Sequence, residues 1–143
     1  MFFHLYLRKG TVFVPTTGLV HRGPYRDIEP VAVVPVSSPE AVRQALRDAI
    51  TRGNPPAPQY PRDSYPQPVV VKYAGVKSWS AFARGTLTWG IDQIEGKYQI
   101  IGYSRHPDGW HEDPERKIDL PPGSTADDAI DRMIAILQQA AQQ

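Results

Sequence analysis

The stretch Phe2-Phe3-His4-Leu5-Tyr6-Leu7-Arg8-Lys9-Gly10-Thr11-Val12-Phe13-Val14 decides the fold class. Aromatic and aliphatic residues crowd both halves. Lys9-Gly10 lies between them, where glycine accepts the positive φ of a tight hairpin turn. Side chains alternate across a strand, so Phe3, Leu5 and Leu7 share one face and His4, Tyr6 and Arg8 share the other. The expectation is an antiparallel pair with one buried face and one wetter face that carries His4. Pro15 lacks the amide donor of a ladder and reads as the end of the second strand.

Outward from this hairpin, Thr16 to Asp27 holds Gly18, Gly23 and Pro24 without a period and reads as a loop. Glu29 to Val36 reads as a third strand. Its run Val31 to Val34 suggests burial on both faces, while Pro35 favours a strand end or an edge. Ser38, Pro39 and Glu40 are a cap, a first-turn proline and an acid suited to the positive end of a helix dipole. Val42, Ala45, Leu46 and Ala49 continue at helical spacing, with Gly53 beyond the end. Residues 54–68 carry six prolines and read as a stiff, partly polyproline-II crossing loop within one domain, with Tyr60 and Tyr65 as its aromatic anchors.

Val69 to Tyr73 reads as a short buried strand, and Ser78 to Arg84 as a helical turn anchored by Trp79 and Phe82. Thr86 to Ile94 and Tyr98 to Arg105 form a second hairpin around Glu95-Gly96-Lys97. His106 to Lys117 is a polar loop, and Arg116 to Leu120 a further edge strand. Ser124 caps a closing helix whose stripe is Ala126, Ala129, Ile130, Met133, Ile134 and Leu137. The pattern predicts a single α+β domain over residues 1–143. It should hold an antiparallel or mixed sheet of about five to seven strands with two helices packed on one side. Leu5, Leu7, Val33, Leu46, Val70, Trp89, Ile100, Ile130, Ile134 and Leu137 are the expected core.

Composition narrows the class. The 143 residues are 41% hydrophobic and 22% charged, against a disordered chain. Sixteen Lys and Arg face fifteen Asp and Glu, a formal net charge of +1, which argues against a dedicated polycation for nucleic acid. There is no cysteine, hence no disulfide scaffold and no thiol nucleophile. No apolar run is long enough for a membrane span, and the first residues lack the basic stretch and cleavage pattern of a secretory signal. We expect a cytoplasmic chain with no membrane partner. Neither GxGxxG, GxxxxGK[ST], HExxH nor GxSxG occurs, and neither a cofactor nor a metal is expected.

The densest chemistry lies in Arg105-His106-Pro107-Asp108-Gly109-Trp110-His111-Glu112-Asp113-Pro114-Glu115-Arg116-Lys117. Imidazole beside carboxylate can move protons near neutral pH, so a small hydrolase or nuclease using His106 and His111 is one reading. Charge asymmetry supports another. Residues 1–105 carry thirteen basic and seven acidic side chains, whereas residues 106–143 carry three and eight. An acidic surface attracts a basic protein and speeds their encounter. The leading expectation is a non-enzymatic protein-binding domain. Its sharpest form is an immunity or antitoxin protein that neutralises a basic, nuclease-like toxin. Its contacts would be Asp108, Trp110, Glu112, Asp113 and Glu115, with Tyr60 and Tyr65 as loop aromatics suited to hot spots. A third reading is a nucleic-acid-binding module using Arg43, Arg47 and Arg52 on the first helix, although no aromatic–basic motif accompanies them.

Overall fold

Alternation in the first hairpin sets the geometry of the whole sheet. A computed structural model describes residues 1–143. Strand β1 (Phe2–Arg8) pairs antiparallel with β2 (Thr11–Val20), which pairs with β3 (Tyr25–Pro35). On its other side β1 pairs with β5 (Thr86–Ile94), then β6 (Lys97–His106), then β7 (Gly109–Asp119). The order is β3-β2-β1-β5-β6-β7, antiparallel throughout except that the two-residue β4 (Pro56–Ala57) lies parallel to the end of β2. This is the expected α+β class.

Two helices cover one face. α1 (Pro39–Arg52) buries Val42, Ala45, Leu46 and Ala49, and α4 (Ala126–Ala141) buries Ala129, Ile130, Met133, Ile134 and Leu137. They meet Phe3, Leu5, Leu7, Val12, Val14, Trp89, Ile91 and Ile100 in one cluster of 18 buried residues. Ser38 sits at the head of α1 without a side-chain cap bond. At α4 the cap is Thr125, not Ser124, in a reciprocal box with Asp128.

The opposite face differs from expectation. Val69 to Tyr73 is not a strand: Val70–Tyr73 is a helical turn, α2, which lays Val70 and Val71 on the sheet with Tyr6, Phe13 and Phe82. A short apolar run satisfies either form, and here it covers a sheet face instead of extending an edge. α3 (Trp79–Ala83) completes this layer, capped by the Ser78 hydroxyl, which accepts from the Ala81 amide. Tyr6 is therefore buried, not wetted.

Strands also run further than the sequence suggested. Thr16 to Asp27 is not a loop but the far half of a long hairpin, paired from Thr16 with Ile28 to Leu19 with Tyr25. Pro15 lies inside β2 at a break in register, where Glu29 and Pro30 stand opposite no partner, so its missing donor interrupts nothing. β3 is an edge strand, and Val33 is 42% exposed instead of core. The polar loop at 106–117 is likewise an edge strand. Asp119 pairs with Gln99, and Glu112 pairs with Tyr103 across a bulge near Gly102. No helix is long and apolar enough to cross a membrane.

Candidate functional site

β7 sorts the acidic segment by parity, because successive side chains of a strand point to opposite faces. Glu112 lies opposite Tyr103, and Trp110 opposite Arg105, all on the face that bears His4 and Tyr6. His111, Asp113 and Ser104 point the other way. The segment is thus two surfaces, not one cluster.

On the first surface the Trp110 ring stands 5.3 Å from that of Trp79, edge to face, and 6.1 Å from Tyr6. It is half-buried at the rim of the α2–α3 layer, so it packs the fold as well as presenting an edge to solvent. Glu112 is exposed and makes neither a hydrogen bond nor an ion pair. Together with burial and Asp92, its charge pushes the Tyr103 hydroxyl up to about 12, burial being the larger cause.

On the second surface His106 and His111 stack with ring centroids 4.5 Å apart, and Asp108 accepts from His111 Nε2 at 2.9 Å. Asp113 accepts from the Ser104 hydroxyl at 2.7 Å and from the Glu115 amide at 3.0 Å. These two bonds hold its carboxyl below the usual carboxylate range. Asp113 thus locks the hairpin, while Glu115 is exposed and unpaired. No group of three or more His, Asp or Glu is placed to hold a metal ion.

Tyr60 and Tyr65 lie elsewhere, in the proline-rich crossing segment. The Arg26 guanidinium lies over both rings, 4.8 Å from the centroid of each. Arg26 Nη1 is buried without a hydrogen-bond partner, and the two ring faces take that place. The segment starts at Asn54, whose side chain bonds the backbone of Phe2 and Thr17. Beyond Pro58 its backbone makes two local turn bonds, from Ser64 to Pro61 and from Val71 to Pro68, and Gln67 donates to the Lys77 carbonyl, so the aromatic clamp carries much of the remaining docking.

Beneath this segment lies a groove of about 1180 Å³ that the sequence did not reveal. Its floor holds a polar knot. Tyr6 donates its hydroxyl proton to Asp27 Oδ2, and His4 Nδ1 lies 2.9 Å from Asp27 Oδ1. Burial, then the Asp27 charge, pushes the Tyr6 hydroxyl well above its ordinary value, so it acts as a donor only. At the rim Glu29 is held by Lys72 at 2.7 Å and by the Tyr73 hydroxyl at 2.5 Å, and these bonds draw its carboxyl below its ordinary value. The sequence did carry a signal for the floor: His4 and Tyr6 share a face of an otherwise apolar strand. Asp27 was hidden by being read as loop.

The basic face proposed on α1 is engaged. Arg43 pairs with Asp131 at 3.1 Å and Arg47 with Asp127 at 3.0 Å, so these arginines join α1 to α4.

No family model matches the chain, and no curated protein matches it. Two solved structures share its fold over nearly the whole length. One is a protein of unknown function, NMB0488, from Neisseria meningitidis, with a TM-score of 0.65, 14% identity, and 97% of this chain and 93% of that one covered. The other is a chain of the CdiA-CT/CdiI toxin and immunity complex from Yersinia pseudotuberculosis, with a TM-score of 0.62, 11% identity, and 98% and 95% covered. The likeness is one of fold.

Proposed function

We propose that this chain is an immunity-type protein that binds and neutralises a protein toxin. The observation that carries the reading is the fold shared, end to end, with a chain of a toxin and immunity complex. Surface chemistry supports it independently. The β6–β7 hairpin presents an exposed Glu112 on the face of the half-buried Trp110, an exposed Asp108 paired with His111 on the other face, and an exposed Glu115 on the same edge strand. An enzyme that acts on nucleic acid must offer a basic groove to phosphate, and an acidic edge can occupy it. Tyr60 and Tyr65 flank a second aromatic surface on the same side of the sheet as Trp110.

The hydrolase reading is weaker. His106 and His111 stack on each other at an exposed hairpin end, and the one hydrogen-bonding partner of either ring is the exposed Asp108.

The test is neutralisation. The product of a neighbouring gene is expressed alone and together with this chain, and growth and complex formation are followed. The reading expects arrest by the neighbour, relief by co-expression and a stable complex of the two purified proteins. A neighbour that arrests growth equally in the presence of this chain, and that forms no complex with it, contradicts the reading.

A further inference from the structure

The groove under the proline-rich segment has walls and charges that the toxin-binding reading does not use. Tyr60 is 36% and Tyr65 57% exposed although each ring has Arg26 over it, and both line the groove. Trp79 lines the opposite side. Among the charges, both carboxylates are occupied: Asp27 by His4 and Tyr6, Glu29 by Lys72 and Tyr73. Arg26 and Lys77 have no acidic partner. The groove therefore combines exposed aromatic rings with uncompensated positive charge, the pairing used by proteins that stack bases and track a phosphate backbone.

We propose that this groove binds a nucleotide unit, its flat base against Tyr60, Tyr65 or Trp79 and its phosphate toward Lys77 and Arg26. The volume of about 1180 Å³ exceeds that of a typical small-molecule pocket and accommodates either a free nucleotide or a short run of a single strand. The near-zero net charge of the whole chain argued against nucleic acid, but that average hides the separation of an acidic hairpin from a basic groove. The inference shares Tyr60 and Tyr65 with the toxin-binding reading but does not depend on it, because its charges, Arg26 and Lys77, and its third ring, Trp79, play no part there.

Fluorescence anisotropy of a labelled, mixed-sequence single-stranded DNA reads the site, with adenosine monophosphate, adenosine and inorganic phosphate as competitors. The wild type should bind at low salt, and adenosine monophosphate should compete better than adenosine or phosphate alone. Tighter binding of the strand than of the mononucleotide identifies a chain as the source, and equal binding identifies the free nucleotide. Lys77→Glu, at an exposed position, should weaken binding about tenfold. It should also flatten the slope of log affinity against log salt by about 0.7 for each phosphate that is no longer neutralised. Tyr65→Leu should weaken binding about fivefold to a hundredfold. Arg43→Gln, on α1, should leave it unchanged. No binding by the wild type overturns the proposal. So do Lys77→Glu and Tyr65→Leu variants that bind as the wild type does, or competition by phosphate that equals that of the mononucleotide.

Discussion

The two faces of the sheet are built on different principles. The α1–α4 face is closed by two amphipathic helices and 18 buried residues, and its polar contacts lie at the surface between the helices. The other face is covered by two short helices and a proline-rich segment. It buries five residues in its own cluster and leaves a groove with a polar floor. Regular helices fill a face completely because their stripes match the sheet's spacing. Short irregular pieces leave gaps, and gaps lined by fixed polar groups are where ligands and partners engage.

Substitutions can break this comparison. Ile134→Ala, at the centre of the helical face, should cost about 2–5 kcal/mol through reduced burial and a cavity, read by chemical denaturation. An unchanged midpoint would show that this face does not carry the stability. Tyr6→Phe on the other face removes one donor from the nearly buried Asp27 carboxylate and should cost about 1–3 kcal/mol. A cost near zero would mean that the polar knot is not a structural unit.

Alkali sharpens the comparison further. Tyr6 and Tyr103, both on the groove side, hold their protons above the ordinary tyrosine value in the folded state, Tyr103 up to about 12. Between the unfolded value near 10 and the folded values the unfolded chain has released protons that the folded one keeps, so stability should fall as pH rises through that window. Tyr103→Phe should make the fall shallower, as seen in denaturation midpoints across the alkaline range. The same slope in both proteins would contradict the assignment.

The smallest expected effect is local. Tyr60→Ser with Tyr65→Ser removes both ring faces from Arg26 and should admit protease within residues 58–68 while the global midpoint stays within about 0.5 kcal/mol. Cleavage of the wild type at the same site would show that the clamp does not order the segment.

Sequence reading succeeded where period and burial coincide. Leu5, Leu46, Ile130 and Leu137 are buried as expected, and both long helices and the β5–β6 hairpin fall where their patterns put them. It failed where a long-range partner decides the form. Pro15 looks like a strand end but sits at a bulge inside β2, and Val70–Tyr73 became helical to cover a face. The acidic segment was legible as composition. That it is a strand was not, since Glu112 and Trp110 share a face only once β7 pairs with β6. The groove was illegible because Arg26, Asp27, Tyr60 and Trp79 come from separate segments joined only in the fold.

The claim that the acidic hairpin meets a basic toxin is tested most directly by association kinetics. Glu112 and Glu115 are exposed and unpaired, so reversing both to Lys alters the surface charge without disturbing the bonds Asp113 makes inside the hairpin. Stopped-flow or biosensor traces with the purified toxin, taken across a salt series, compare the two proteins. The account predicts that the wild-type association rate falls steeply with salt, and that the Glu112→Lys, Glu115→Lys protein associates more slowly with a flatter dependence and an intact fold. Equal rates and equal salt slopes for the two proteins would contradict it.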